Sequence, residues 1–433
     1  MTEADKVIFK RVYPAALLVV VAAYLLIVGS VLVLQWGRVD SERDRSWPSE
    51  AFDEIRYHRP VIEQFARELP FVDLHNYESA TTPGYHLLAA LILRFTNTNT
   101  VRLVFFFVYL LLPLLILNAV LVRAGPLAGV MSALTLIFSS YFISASVWLT
   151  TDNLALLFVL GSILAILKSF NVVNAWRWLL LASLCTVGAI LVRQIHLWLC
   201  GPLFLTTVIV SWRDNKLNLK ALVAGLSGCF FAVGIVAVFV VMWHGLTPPG
   251  FLKQHGSQWN TAALVYNISL FGAFSILYWG YLVPSRNDWK ILSSGAAVGL
   301  LIALAVNSAP GTEAGHWGGP FWYASSRLLV VADRSVLFLV FSPIGGAAFA
   351  LWLKRTYRNH GWVILLACVA FTVAYTANHQ VWQRYYEPFL LVMLALLAGL
   401  TDKKQRWAPV GQVVLVCGLA GLSFLKVFLP LIR

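Results

Sequence analysis

Residues 12–36 read VYPAALLVVVAAYLLIVGSVLVLQW. These 25 residues include no Lys, Arg, Asp or Glu, and a helix of about 20 apolar residues suffices to cross the hydrocarbon core of a bilayer. The run is too long for the apolar region of a secretory signal and is followed by no small-residue cleavage pattern, so it is expected to be a permanent span.

The rest of the chain has the same character. Of its 433 residues 59% are hydrophobic and only 12% charged, with a mean hydropathy of +0.76. Soluble domains carry about 25% charged residues, so a water-soluble globule is excluded. Further apolar runs lie near 103–122, 127–146, 153–168, 177–192, 197–212, 221–243, 262–284, 291–307, 335–353, 362–377, 386–400 and 409–431. The expectation is an all-α polytopic integral membrane protein of about 13 transmembrane helices, with residues 1–433 forming one membrane-embedded domain.

The net charge of +13 would suggest nucleic acid in a soluble protein. In a lipid bilayer its placement instead reports topology, and no nucleic-acid partner is expected. With the N-terminus cytoplasmic, 17 of the 32 Lys and Arg fall in short inner segments, among them Lys6, Lys10, Arg123, Lys168, Arg177, Arg286, Lys354 and Arg355. The acids sort the other way: 14 of 19 lie on the outer side, ten of them between Asp40 and Glu78. Chemistry that needs a carboxylate is therefore expected to be extracytoplasmic.

Cys185, Cys200, Cys229, Cys368 and Cys417 lie in or beside spans at no metal-like spacing, so neither a disulfide framework nor a zinc site is expected. No phosphate-binding glycine loop of the nucleotide-binding kinds is present, and no organic cofactor is expected; a metal held by an acid such as Asp152 stays open as an alternative. A group transferred by this protein must arrive already activated from the membrane.

Residues 37–102 form the longest outer loop. In it, Ser49 to His58 reads as a capped helix that stops before Pro60, and a second helix is expected from Pro60 to Glu68. Spacing of four places Asp53 with Tyr57 on one face and Glu54 with His58 on the next. The polar stretch Asp73 to His86 follows, and then the apolar Leu87 to Phe95, too short to span and expected to lie along the membrane surface. An acidic pair such as Asp53 and Glu54 reads equally as a solvated face paired with Arg56 or Arg59.

The order of motifs resembles the GT-C superfamily of polyprenyl-phosphate-sugar-dependent glycosyltransferases. Within it, the chain is most similar to the dolichyl-phosphate-glucose-dependent α-1,2-glucosyltransferases of lipid-linked oligosaccharide assembly. The resemblance rests on Phe52-Asp53-Glu54-Ile55-Arg56-Tyr57-His58 after one span, on Asp73 with Thr81-Thr82-Pro83-Gly84-Tyr85, on Arg193-Gln194-Ile195-His196-Leu197-Trp198, and on Arg384-Tyr385-Tyr386-Glu387-Pro388. It departs from the family pattern at Asp333-Arg334-Ser335 and at Lys253-Gln254-His255.

The resemblance implies a GT-C-like fold and an inverting transfer of a sugar, glucose in this family, from a polyprenyl-phosphate donor to a glycan or lipid-linked acceptor. It implies Asp53, Glu54 and Asp152 as catalytic acids, and Arg193 and Arg384 at the donor phosphate; Lys253, the only Lys in an outer loop, and His255 two residues later are donor-phosphate candidates by position. His58, Asp73, Tyr85, Gln194 and Tyr385 are its candidates for acceptor or sugar binding. No Asn-x-Ser/Thr acceptor site falls in an outer loop, since Asn267-Ile268-Ser269 lies in a span. With the short chain, this favours a bacterial inner membrane over the endoplasmic reticulum.

Elementary chemistry asks for the same residue types. Inverting transfer from a lipid phosphate needs one carboxylate to accept the proton of the attacking hydroxyl and cations to steady the departing phosphate. Arg193 and Arg384 also read as side chains reaching from helix ends to the interface, and Asp152 as an acid favoured at a helix start. The aromatic tract Gly311 to Arg327 suits either sugar stacking or interfacial anchoring. The same class holds transferases that modify lipid A, wall polysaccharide or protein. A secondary transporter or lipid flippase is the alternative from another class, although internal repeats and midplane charges are not evident.

Overall fold

The structure, a computed structural model, describes residues 3–36, 49–213, 216–251, 259–309, 317–401 and 405–432. Among the described residues nine helices are long and apolar enough to cross a membrane: Val12–Gln35, Thr98–Ala124, Asp152–Ser169, Ala175–Val192, Gln194–Ser211, Leu219–Trp243, Arg286–Ala305, Val336–Asn359 and Ala408–Phe428. The bent pair Pro126–Ile137 and Ser140–Val147 makes ten if it is one span. Leu26, Val33, Phe230 and Val241 on these helices are more than two-thirds exposed. Such surfaces are stable in lipid and a liability in water, so the chain is an all-α integral membrane protein.

The three other apolar runs are also helical, but shorter or more enclosed. Ala262–Leu277 and Trp362–Tyr375 have 16 and 14 residues. In Gln383–Leu400 every residue except Arg384 is buried. A helix apolar on all sides belongs in the interior of a bundle rather than against lipid.

The chain forms two compact units, each assembled from separated segments. One comprises Met1–Ala23, Pro113–Ser139 and Ser257–Ala420. In it the helices Trp289–Ala305 and Ala262–Leu277 pack on Val336–Thr356 through glycines. A Cβ on Gly345 would lie 1.9 Å from the Ile268 carbonyl oxygen, and one on Gly346 2.1 Å from that of Gly295. Backbones this close need small residues, a common device where lipid offers no hydrophobic drive for helix association. At one helix end Asp288 accepts from Lys354 at 2.5 Å, Arg355 at 2.6 Å and the Ser285 amide at 2.7 Å. The buried acid thus neutralises part of a basic cluster.

The other unit comprises Tyr24–Leu112, Ser140–Gly256 and Gly421–Arg433, and holds the described part of the first outer loop, 49–102. Here the structure corrects the sequence reading. Ser49–Asp53, Glu54–His58 and Arg59–Glu68 are consecutive with no gap, so the helix does not stop before Pro60. Glu54–His58 is a π-turn, in which the Arg59 amide donates to the Glu54 carbonyl. The widened turn relieves the clash between a proline ring and the carbonyl four residues back, and Pro60 falls in the first turn of Arg59–Glu68, where its missing N–H is not needed.

Ala51, Glu54, His58, Val61, Ile62 and Phe65 form the buried stripe of this segment, at helical spacing. It packs on Tyr77, Tyr85, Ala89, Val101, Phe105, Leu149 and Trp243. The Trp243 indole donates to the Leu74 carbonyl at 2.9 Å and stacks on Tyr77. The loop after Glu68 is thereby tied to the end of a span. The short helix that follows runs Gly84–Leu93, with Leu88 and Leu91 on its exposed side.

Candidate active site

Asp53 and Glu54 are adjacent in sequence but have opposite environments. Glu54 is fully enclosed and forms an ion pair through Oε1 with Arg102, itself buried. Its Oε2 accepts from the Leu149 amide at 2.7 Å. A buried carboxylate is tolerated only when paired and hydrogen-bonded, and both conditions hold here. Arg102 further donates to the Asn99 side chain at 3.1 Å, and its guanidinium carbon lies 5.9 Å from the centre of the Trp148 ring. Asp53, one residue earlier and about 100° around the helix, is half-buried and so keeps access to the surface.

His58 sits one turn beyond Glu54 on the same buried stripe. Its Nδ1 lies 2.9 Å from His86 Nε2, and His86 Nδ1 lies 2.7 Å from the Tyr77 hydroxyl. This is a continuous enclosed chain of two imidazoles and a phenol. Burial, reinforced by the neighbouring His58, holds His86 well below the usual histidine range, so it is neutral at physiological pH. Tyr85 is fully enclosed as well, with Phe105 at 4.9 Å and His58 at 6.4 Å between ring centres.

The Thr81-Thr82-Pro83-Gly84 stretch is braced by the end of a distant span. The Thr82 amide donates to Gln194 Oε1 at 3.0 Å, and the Thr82 hydroxyl donates to the Ile190 carbonyl. Gln194 Nε2 donates to the carbonyls of Ala80 at 2.8 Å and Leu246 at 2.9 Å. Gly84 lies against the same span: an added Cβ would stand 2.6 Å from the Leu191 carbonyl oxygen. Gln194 and Gly84 are thus held in one brace although 110 positions separate them.

Asp152 opens the helix Asp152–Ser169, and Arg193 follows the last residue of Ala175–Val192. The two helices pack against each other, and their antiparallel course brings the start of one to the end of the other. There Arg193 and Asp152 form an ion pair, each side chain less than a quarter exposed.

Asp73 is exposed and turned into its own loop. It accepts from the His75 amide at 2.8 Å and from the Asn76 side chain at 2.7 Å. The bonds from Asn76 and His75 hold its carboxyl below the usual range. These local bonds account for its geometry as the anchor of a turn.

Arg384 and Tyr385 belong to the other unit. The Arg384 guanidinium lies 4.3 Å from the Trp382 ring centre and 4.9 Å from that of Tyr385, and donates to the Tyr385 hydroxyl at 2.9 Å. In the same helix, Glu387 accepts from Ser139 and from Gln383, each at 2.7 Å. Trp322, from the aromatic tract, stacks on Tyr266 at 4.8 Å and donates to the Val381 carbonyl at 2.8 Å. Lys253 and His255 lie outside the described residues.

Sequence reasoning missed Arg102, His86 and Tyr77. Arg102 had one visible cue, a cation at the outer margin of a long apolar run. His86 and Tyr77 had none beyond their place in the polar loop. Among the described residues no group of three or more His, Cys, Asp or Glu could hold a metal ion. Comparison of the chain with protein-family models, curated proteins and solved structures finds no match.

Proposed function

We propose that the protein is an inverting glycosyltransferase of GT-C type, with about thirteen membrane passes. It moves a sugar, glucose by resemblance, from a polyprenyl-phosphate donor to a glycan or lipid-linked acceptor. On this reading the N-terminus is cytoplasmic, the site faces the extracytoplasmic side, and the membrane is a bacterial inner membrane rather than the endoplasmic reticulum.

The observation that carries the reading is the convergence, in one unit, of three motif segments far apart in sequence. Glu54 is held by Arg102 and Leu149, Thr82 by Gln194, and Asp152 by Arg193. Structural filler gives no reason for these polar stretches to brace one another.

Asp53 is the base, because a base must reach a substrate and Glu54 is enclosed. It accepts the proton of the acceptor hydroxyl as that oxygen attacks the anomeric carbon. The bond from carbon to the phosphate oxygen breaks on the opposite face, and configuration inverts. A phosphate leaves as an anion, so Arg193 supplies positive charge where a hydrolase would supply an acid. Asp152 holds Arg193 in place. His58, Tyr85 and Gln194 shape the wall beneath the acceptor.

The test is transfer by purified protein from a synthetic polyprenyl-phosphate glucose, with the product's anomeric configuration read by NMR. Inverted product supports the reading; retained configuration, or no transfer from any polyprenyl-phosphate sugar, rejects it.

A further inference from the structure

We infer that Arg102 is a positioning residue, which acts through Glu54 to set Asp53 against the segment that carries Asp152. This rests on the glycosyltransferase reading and adds a residue that the motifs do not contain.

The geometry is specific. Glu54 spans two elements at once: Oε1 meets Arg102 on the helix Thr98–Tyr109, and Oε2 takes the amide of Leu149, three residues before Asp152. One carboxylate therefore fixes the rotation of the Asp53 helix and its distance from the start of the Asp152 helix. The π-turn begins at this same residue, so the helix changes its hydrogen-bond register where Glu54 is anchored. An enclosed charge has few alternatives to its single arrangement, since any rotation that withdraws Glu54 leaves both it and Arg102 buried and unpaired. Arg102 is suited to this because its fork also reaches Asn99 while it lies against Trp148. Neither Arg102 nor Glu54 needs to touch substrate.

A positioning role predicts a particular kinetic signature. Displacement of a reacting group by about 1 Å can cost on the order of 10²-fold in rate, while substrate affinity is set elsewhere. Arg102→Lys should therefore lower kcat with little change in KM for donor or acceptor, and Arg102→Ala should lower it by on the order of 10²-fold. The reversal Glu54→Arg with Arg102→Glu restores opposite charges but leaves the Leu149 amide without an acceptor, so it should not restore kcat.

A second readout does not depend on activity. In an Asp53→Cys variant, the rate at which a methanethiosulfonate reagent modifies the new thiol should change severalfold when Arg102→Lys is added. Folding is checked in every variant by thermal unfolding in detergent. The pair Glu54→Gln with Arg102→Met removes both charges at similar volume and serves where single variants do not fold. A kcat loss at constant KM together with a changed modification rate at position 53 supports the inference. Folded Arg102 variants with wild-type kcat and an unchanged modification rate overturn it, as does failure of every variant to fold, which would make the pair a requirement of the fold. If the parent protein transfers no sugar, the glycosyltransferase reading fails, and the modification rate alone decides whether Arg102 sets this helix.

Discussion

Asp152, the first residue of one span, is ion-paired with Arg193, the residue that follows the next span. The pair lies where an acid meets the positive end of one helix dipole and a cation the negative end of the other. Helix order therefore favours both charges, and their pairing orients the Arg193 guanidinium. Arg193→Ala is expected to lower stability by about 1–3 kcal/mol, the range for leaving a buried polar partner unsatisfied, since Asp152 keeps some solvent contact. It should also strongly reduce transfer, and Arg193→Lys should rescue only partly because the planar fork is lost. A folded Arg193→Ala protein with a wild-type rate would leave the pair a purely structural clasp.

Gly84 tests the brace between the loop and the span. Gly84→Ala places a methyl 2.6 Å from a backbone oxygen that no rotamer change can move, so a loss of about 1–3 kcal/mol is expected. Gly234→Ala, in a helix with nothing within 4 Å of the new Cβ, should instead be neutral or stabilising by up to about 1 kcal/mol. Unfolding temperatures in one detergent compare the two directly. Equal stability of the two variants would mean that Leu191 does not confine this turn.

The enclosed His86 gives the fold a pH dependence of known sign. Its folded pKa lies below the unfolded value of about 6.5, so the unfolded chain binds a proton that the folded one refuses. The corresponding stability is complete above about pH 6.5 and is lost as pH falls below it. In His86→Gln the fall in unfolding temperature between about pH 6.5 and pH 5 should be shallower than in the parent. An identical slope would place the titrating group elsewhere.

Topology is tested at two exposed positions of one unit, Phe71 in the outer loop and Val173 between two spans, 90% and 96% exposed. With an impermeant thiol reagent on intact cells, Phe71→Cys should be labelled and Val173→Cys protected. The reverse pattern would invert the orientation and move the candidate site to the cytoplasm.

The apolar runs were legible because a membrane span announces itself by length and lack of charge, though among the described residues only nine helices, or ten with the bent pair, are long and apolar enough to cross. The break between Ile137 and Ser140 was not: no Pro or Gly marks it, and it is made by the Ser139 amide turning back to the Leu136 carbonyl. The spacing of Asp53, Glu54, Tyr57 and His58 was legible as helix faces, but which face turned inward was not. That depends on Arg102, 48 residues away, and periodicity carries no information about a partner at that distance. The π-turn was hidden for a related reason, since Pro60 reads locally as a stop and the burial of Val61, Ile62 and Phe65 beyond it is a tertiary fact. Gln194 and Thr82 were both noticed in their motifs, yet their mutual bond is a tertiary fact.

The role of Asp53 in accepting the proton of the attacking hydroxyl is read from the single-turnover transfer rate of Asp53→Asn, with donor binding measured separately. The amide keeps the shape and leaves the enclosed Glu54 and its partners in place, so donor binding should be intact and the rate lower by on the order of 10²–10⁴-fold. Transfer at the wild-type rate by a folded Asp53→Asn protein would contradict it, and a dead Asp152→Asn beside it would move the base to Asp152.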